Sequence, residues 1–395
     1  MKKKVLLIPM LAGVMLAASC SKDDGTAVVD EIVVPNETPE AVAEQPAAQK
    51  TYPFSVQASK ETSISKIALD GYDLKFDGGE TLLLVLDGDE TKYVELDFVS
   101  GAGTTTATFS KDLSEDEKTL IEGKKLWGVI KGKSSLDEVQ YSTTSLEDAV
   151  NLYCSLRSTE AITYEDGKAS DDLTLADEKA YIEFNVADGQ KQVSLKRADK
   201  SEYSWYPVNE ENDQVWFVVP GNEKYNTRLK KKTLTAEKGK VYTLTEKNVV
   251  DLGLSVLWCT SNANSPETDQ KSFAEAQALA AGVSGYDLPS DNNFKELKNT
   301  TTTFKKDGTG FEKGCTFETT YGKVFFPAAG KNDGTVSVGS EGYYWTSSYN
   351  NVVSGSETYI QADYLYFWLS DNSVIPQLGR VDGKEFSVRL VRSVN

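Results

Sequence analysis

Apolar and polar residues alternate along much of the chain with the period of two that is typical of β-strands. Val94, Leu96 and Phe98 alternate with polar residues, which predicts a strand with one buried face. The continuous apolar runs 82–86 and 215–219 fit strands that are covered on both faces. Residues 51–248 are therefore predicted to be mainly β.

A second alternating segment supports the same interpretation. Ile182 follows Tyr181 and precedes Glu183, so the apolar side chain is predicted to face the core and its two neighbours to face outward. Aspartate–glycine pairs, such as those at 87–88 and 166–167, separate the segments. These residue types tolerate the positive φ of tight hairpin turns, so they predict strand reversals.

Short strands with frequent turns predict β-sandwiches. We place the boundary near residue 147, which gives a first sandwich at 51–147 and a second at 148–248. Helical patterning in this part of the chain is confined to 113–121 and 146–152.

Composition narrows the chemistry. The chain has 395 residues, with 60 acidic against 42 basic side chains and a formal net charge of -18. This charge argues against nucleic acid as a partner, because phosphate binding needs a basic face. The sequence has no histidine, which removes histidine-based nucleophilic catalysis and histidine-ligated metals. None of the four cysteines forms a CxxC pair. We therefore predict no catalytic residue, no metal site and no cofactor.

The first 19 residues are predicted to be a signal peptide. Three lysines at 2–4 precede the apolar stretch 5–18, which is too short to span a bilayer. Small residues then lead into Cys20, an arrangement that resembles the lipobox of bacterial lipoproteins, although Ala17 stands where leucine is usual. The resemblance implies that Cys20 is acylated and anchors the protein to the outer membrane. The alternative is an ordinary cleavage site followed by an incidental cysteine.

Residues 20–50 are predicted to be a lipidated N-terminus and a disordered tether. The stretch is acidic, holds three prolines and lacks aromatic residues. Its residues 21–24 (SKDD) resemble the acidic surface-export tag of Bacteroidota-type lipoproteins, which implies exposure at the cell surface; the alternative is a solvated charge run.

Several short motifs in the β-rich part resemble the fimbrillin-like domains of Bacteroidota surface pili. They are the stretches 73–79 (DLKFDGG), 107–110 (ATFS), 213–221 (DQVWFVVPG) and 234–244 (LTAEKGKVYTL). The resemblance implies strand donation between pilus subunits after proteolytic removal of an N-terminal segment. The first arginine of this chain is Arg157, so arginine-directed processing early in the mature chain has no site. An accessory, anchor or tip subunit is thus expected rather than a repeating pilin. Lysine-directed processing near Lys50 or Lys60 is the alternative to arginine-directed processing.

The last 147 residues carry six ordered blocks. They are 249–258 (VVDLGLSVLW), 285–290 (GYDLPS), 324–330 (VFFPAAG), 342–348 (GYYWTSS), 364–367 (YLYF) and 386–391 (FSVRLV). Together they resemble the major paralogous domain family (FISUMP), which implies an α+β C-type lectin-like domain over 249–395. Tyr286, Asp287 and Leu390 depart from the family pattern. Between the blocks, Ser272 opens a capping box and Ser290 is a predicted N-cap, so two helices are expected.

Since no catalytic residue, metal site or cofactor is predicted, the remaining expected activity is ligand binding by side chains. Tyr364, Tyr366 and Trp368 alternate with apolar residues, and such an aromatic stripe can stack on sugar rings or on a protein. The alternative is a strand buried on both faces. A polar loop holds the further candidates Tyr349, Asn350 and Asn351.

Cys259 and Cys315 lie in the same predicted domain and would form a disulfide only if the fold brings them together; the alternative is two free buried thiols. Calcium-dependent sugar binding is not expected, because the EPN, QPD and WND triplets of true lectins do not occur.

Three functions follow from these observations. The first is a non-catalytic, cell-surface lipoprotein that acts as an adhesin or fimbria-associated subunit, with pilus subunits and a host protein or glycan as partners. The second is a glycan-capturing lipoprotein of a polysaccharide-uptake system. The third is an enzyme that uses two carboxylates, for which spacing nominates no pair of residues.

Overall fold

The computed structural model describes residues 50–60, 65–66, 76, 78–131, 139–264, 269–332 and 337–394. Strands dominate these ranges, which confirms the prediction of a mostly β chain. The predicted signal peptide, Cys20 and the tether lie outside the described residues. None of the helices in these ranges has both the length and the apolar character that a membrane crossing needs.

The strands and helices before residue 178 are joined mainly by tight turns. In chain order they are β1 (Tyr52–Lys60), β2 (Ser65–Lys66), β3 (Thr81–Leu86), β4 (Asp89–Ser100), β5 (Thr106–Leu113), α1 (Glu115–Ile121), β6 (Lys125–Ile130), β7 (Gln140–Ser142), α2 (Leu146–Tyr153), β8 (Leu156–Ser158), β9 (Ile162–Glu165), β10 (Lys168–Ala169) and β11 (Leu173–Asp177). The predicted turns at 87–88 and 166–167 join β3 to β4 and β9 to β10, and Gly88 and Gly167 have φ values of 78° and 81°.

The chain continues with strands and then enters a mixed region. The strands up to residue 246 are β12 (Lys179–Val186), β13 (Gln192–Arg197), β14 (Ser204–Pro207), β15 (Gln214–Pro220), β16 (Glu223–Thr227), β17 (Lys230–Ala236) and β18 (Lys240–Glu246). The elements after it are β19 (Val249–Asp251), β20 (Val256–Cys259), α3 (Phe273–Gly282), α4 (Asp291–Lys298), β21 (Thr301–Lys305), a 3-10 turn (Gly310–Glu312), β22 (Gly314–Glu318), β23 (Lys323–Pro327), β24 (Glu341–Ser354), β25 (Glu357–Trp368), β26 (Ser373–Arg380) and β27 (Val391–Ser393).

The first sheet has nine strands in the order β10-β9-β6-β3-β4-β5-β1-β11-β8. Because β6 also pairs with β8, the sheet closes on itself. In β4, Val94 and Leu96 are buried while Glu95 and Asp97 are exposed, as the alternation predicted. The sheet takes strands from both sides of residue 147, so its hydrogen bonds cross the predicted domain boundary.

The second sheet, in the order β2-β18-β12-β15-β7, is a shared layer between two cores. Tyr181 and Val218 pack into the core of the first sheet. Ile182 and Phe217, their neighbours in sequence, pack into a second core on the opposite face. The prediction that Tyr181 faces outward is therefore wrong, because this sheet is covered on both faces and its tyrosine face meets the first sheet.

The second core is completed by a third sheet in the order β14-β13-β16-β17. Val193, Leu195 and Tyr225 of this sheet are buried against the middle layer. Three β layers thus stack over residues 50–246. Along each strand, the alternation of side chains determines which core each apolar residue enters.

The remaining part, from residue 249, combines three small antiparallel sheets with two helices. The sheets are β19-β20-β27, β21-β22-β23 and β24-β25-β26. Ser272 and Ser290 cap α3 and α4, each accepting a backbone N–H bond from the residue three positions later, as predicted. The helices bury Phe273 and Phe294 against these sheets.

A buried arginine ties two of these sheets together. Arg389 is only 1% exposed, and its guanidinium donates hydrogen bonds to the carbonyl oxygens of Cys259 and Phe325, both at 2.9 Å. It also lies 4.6 Å from the centre of the Phe326 ring. Its planar group thus binds one backbone acceptor at the end of β20 and one in the middle of β23.

The part before residue 247 is joined to the part after it by a buried polar junction. The Gln190 amide nitrogen donates to the carbonyls of Asp251 and Tyr321, both at 3.0 Å, while its oxygen accepts the Asp251 N–H at 2.8 Å. Arg228 binds both carboxylate oxygens of Asp251. Gly253, with φ of 73°, lies so close to the Tyr321 ring that a Cβ would approach it to 2.3 Å. Tight backbone approach and buried hydrogen bonds therefore make this junction stiff.

Another buried polar group lies between the first and second sheets. The Asp177 carboxylate accepts hydrogen bonds from the Tyr181 hydroxyl at 2.5 Å and from the Lys179 backbone N–H at 2.9 Å. Burial raises the pKa of Asp177 to about 6, because the effect of desolvation exceeds that of these hydrogen bonds, which lower the pKa. The protonated form is thus favoured by the fold.

We expect Gln190→Ala to destabilise the junction by about 3 kcal/mol, since it leaves the buried Asp251 N–H without its acceptor and removes a buried donor to the Asp251 and Tyr321 carbonyls. Urea unfolding measures the loss, and a second transition should separate as the two parts uncouple. Gln57→Ala, at an exposed glutamine of β1, is the control and should stay within about 0.5 kcal/mol of the parent. A single transition with unchanged midpoint in Gln190→Ala would contradict the role of the junction.

Asp177→Asn should change the pH dependence of stability. The pKa of Asp177 is higher in the folded chain than the ordinary value of 3.8, so its contribution is largest when protonated and declines as the pH rises through about 6. The difference in unfolding free energy between parent and variant should shift by up to about 3 kcal/mol between pH 4 and pH 7. Urea titrations at both pH values measure it. An equal difference at both pH values for Asp177→Asn would refute the assignment.

Candidate functional site

The aromatic strand predicted from the sequence is β25, the middle strand of its sheet. Leu365 and Phe367 are fully buried on one face. On the other face exposure increases along the strand, from 8% at Tyr364, through the half-buried Tyr366, to 41% at Trp368. The exposure of the predicted aromatic stripe therefore increases along the strand, and only Tyr366 and Trp368 reach solvent.

Tyr364 belongs to a packed aromatic cluster. Its ring lies 5.0 Å from Phe386, which in turn lies 4.3 Å from Trp345 and 5.2 Å from Tyr343. The Tyr364 hydroxyl donates to the Gln377 side chain at 2.9 Å. Burial raises the pKa of Tyr364 and of Tyr366, so both hydroxyls remain hydrogen-bond donors at neutral pH. Tyr364 therefore supports the site from within the fold.

The exposed part of this face forms a small platform, which we call the aromatic rim: Tyr366, Trp368 and Ile375. Ile375 is 39% exposed and lies directly across from Tyr366 on β26. Trp368 lies directly across from Glu341 on β24, whose carboxylate accepts the Tyr343 hydroxyl at 2.7 Å. An apolar surface with a carboxylate at its edge offers both stacking and hydrogen bonding to a sugar or a peptide.

The loop candidates are instead part of a strand. Tyr349, Asn350 and Asn351 lie in the second half of β24 and are all exposed. The Tyr349 ring packs 5.0 Å from Phe273 of α3, while 47% of the side chain remains exposed. The sequence prediction of a loop missed the long hairpin, because Asn and Ser are poor strand formers and the pairing with β25 decides the outcome.

The thiols and acidic groups offer little chemistry. Cys154, Cys259 and Cys315 are unpaired, so Cys259 and Cys315 form no disulfide. Burial raises the pKa of Cys259 to about 11 and that of Cys315 further, which keeps both as unreactive thiols. Across the described parts of the chain, no group of three His, Cys, Asp or Glu residues is arranged to hold a metal ion.

The sequence did not predict a groove that lies in the β-rich part of the chain, away from the aromatic rim. A groove of about 970 Å³ runs beside the first half of β1, between that strand and the segment 167–172. The residues that line the groove are of types common in strands and turns, so the sequence pattern does not indicate that a groove is present. Only the pattern of strand pairing exposes the groove.

Trp368→Ala should weaken binding to immobilised host proteins or to soluble polysaccharide by at least about tenfold, because it removes the most exposed ring of the rim. The thermal midpoint should change little, since Trp368 lies at the exposed end of the strand and belongs to neither adjoining hydrophobic core. Leu378→Ala, at an apolar residue that is 53% exposed on the opposite sheet face, is the control. Equal binding by parent and Trp368→Ala would eliminate the aromatic rim as the ligand site.

Comparison with known proteins leaves the family open. No family model matches the sequence, and no curated protein matches it. A solved fimbrial protein from Bacteroides ovatus is similar in structure, with 10% identity and a TM-score of 0.26, over 88% of this chain and 100% of that one. A fimbrial assembly protein from Parabacteroides distasonis has 12% identity and a TM-score of 0.27, over 54% of this chain and 97% of that one. Both TM-scores are below 0.5, so these similarities assign the chain to no family.

Proposed function

We propose that this chain is a non-catalytic lipoprotein of the cell surface that acts as an adhesin or a fimbria-associated accessory or tip subunit. Cys20 would anchor it to the outer membrane, and residues 21–50 would lift the folded part from the bilayer. In this proposal two fimbrillin-like domains, 51–147 and 148–248, carry a C-type lectin-like head, 249–395. Since hydrogen-bonded sheets cross residue 147, the two domains would act as one stiff stalk.

The observation that carries the proposal is an unpaired strand edge. β1 pairs with β5 along its length, but its parallel partner β11 begins only at Ala58. Among the described residues, no strand pairs with the other edge of 52–57. Lys60 donates its N–H to Thr105, on the β5 side. Because successive residues of a strand point their backbone groups in opposite directions, Ser55 directs its N–H and C=O into the groove.

The groove can accept an extended segment from a partner. One wall is β1 with the outward-facing residues of β5, and the other is the segment 167–172 after β9. Four aspartates (Asp97, Asp112, Asp171 and Asp172) lie along it against two lysines, Lys111 and Lys168, and the Lys111 ammonium is paired with Glu117 at 2.7 Å. A partner strand that pairs with Ser55 would gain main-chain hydrogen bonds, and basic side chains would suit the acidic walls. Strand addition of this kind is how a subunit could join a fibre.

The second candidate is a glycan-capturing lipoprotein of a polysaccharide-uptake system. The aromatic rim favours it, because exposed rings beside a carboxylate suit the stacking and hydroxyl contacts of sugars. Binding to soluble polysaccharide without binding to cells or host proteins would favour uptake over adhesion.

Ser55→Pro tests the strand-addition role directly. Proline removes the N–H that Ser55 directs into the groove and is tolerated at a strand edge, so partner binding should fall while folding persists. Cells that express the parent or the variant are sheared, and the released fibres are separated from the cells. The variant should decrease by at least about tenfold in the fibre fraction, the loss that about 1.4 kcal/mol of strand pairing gives.

Ser55→Ala keeps the backbone N–H and is the matched control, so it should remain in the fibre fraction at the parental level. Surface proteolysis of intact cells confirms that all three proteins are exposed. Parental amounts of Ser55→Pro in fibres would show that the groove is not the assembly site, and absence of the parent from fibres would refute the fimbrial role itself.

A further inference from the structure

The second half of β24 is an exposed ribbon edge. Tyr349–Ser354 pairs with β25 on one side only, and β26 covers β25 no further than Gln361. The first half of the same strand is covered, because Gly342 bridges to Gly330 and Tyr344 bridges to Ser387. A register shift after Trp345 separates the covered half from the free half. Within the described ranges, no strand pairs with the outer edge of 349–354.

This edge lacks the protection that other edges of the protein carry. The edge strand β26 contains Pro376 and Arg380, β17 begins with the lysines 230–232, and β14 is short and ends at Pro207. Proline, charge and short length are the features that keep edge strands from pairing with other chains. By contrast, residues 346–356 (TSSYNNVVSGS) contain no charge and no proline. An uncharged edge of this length is ready to accept another strand.

The side chains on this edge are arranged for pairing with themselves. Tyr349, Asn351 and Val353 alternate along the strand and therefore lie on one face. Tyr349 is 47% exposed. Val353 is 71% exposed and is the most exposed large apolar side chain in the described parts of the chain. In an antiparallel pair centred on Asn351, Tyr349 lies opposite Val353 of the second copy and Asn351 lies opposite itself. Aromatic residues opposite β-branched residues are favourable cross-strand pairs.

We propose that two copies of this chain associate through the ribbon edge 349–354, with a two-fold axis at Asn351. The two β24–β25 hairpins then form one four-stranded antiparallel sheet. A second copy suits this edge because both partners are uncharged there, whereas each chain carries a net charge of -18 overall. Repulsion between the two chains is long-range and is screened by salt, so added salt strengthens the dimer.

Cysteine cross-linking tests the register. The full chain with Cys20→Ser provides the background, since its remaining native thiols are half-buried or buried. Asn351→Cys should form a disulfide-linked dimer under mild oxidation, because facing residues of an antiparallel pair have Cα atoms about 4.5 to 5.5 Å apart. Tyr349→Cys and Val353→Cys should each form no disulfide-linked dimer alone and should cross-link when mixed. Thr358→Cys, on the neighbouring strand β25, is the control and should not cross-link.

Sedimentation equilibrium tests the association without a covalent trap. At chain concentrations up to about 1 mM, where a dimer with a dissociation constant of about 1 mM is visible, the parent should show a monomer–dimer equilibrium. Asn351→Lys places two like charges across the axis and should weaken dimerisation by at least about tenfold, while Thr358→Lys stays near the parental value. A parent that remains monomeric, or cross-linking of Asn351→Cys no greater than that of Thr358→Cys, would overturn the proposal.

Discussion

The middle sheet is the constraint on which the rest of the structure depends. Its central strands β12 and β15 are apolar on both faces, so each of them serves two cores at once. Tyr181 and Val218 belong to one core, and Ile182 and Phe217 to the other. A one-residue slip in register would exchange these faces and disrupt both cores together. Burial on both sides therefore fixes the register of the sheet more strongly than hydrogen bonding alone does.

Polar groups then fix what apolar packing leaves undetermined. Gln190 and Asp251 join the β-rich part to the C-terminal part through buried hydrogen bonds that tolerate little misalignment. Arg389 does the same between two small sheets by binding two backbone carbonyls. Such groups are costly to bury, and their hydrogen bonds give the junctions one preferred geometry. In the proposed function, this stiffness would hold the head in one orientation on the stalk.

Two strand edges of opposite character follow from this rigid frame. The edge at Ser55 is recessed in a groove, so in the proposed function it would select a segment that fits there. The edge at 349–354 is exposed and uncharged, so it accepts a flat ribbon of the same kind. In both places the backbone supplies the binding groups, and the surrounding side chains determine which partner can approach. The aromatic rim around Trp368 is a third surface, and there side chains make the contacts.

Much of this protein could be predicted from local signals. The period-two pattern predicted β4 and its buried Val94, because one side of that strand faces solvent. The capping residues Ser272 and Ser290 predicted both helices of the C-terminal part, because an N-cap acts within one turn of chain. The lack of histidine excludes imidazole chemistry whatever the fold, because a side chain that the sequence does not contain cannot be supplied by packing.

The tertiary structure decided everything that depends on long-range pairing. The period-two pattern predicted that Tyr181 faces solvent, yet the first sheet covers the face of β12 that carries Tyr181. The candidate Tyr364 is buried while Trp368 is exposed, although both have the same position in the alternation, because Phe386 from a distant segment packs on only one of them. The groove beside Ser55 exists because β11 joins β1 late. Sequence determines which residues can face a core, but which faces are covered depends on segments far away in the chain.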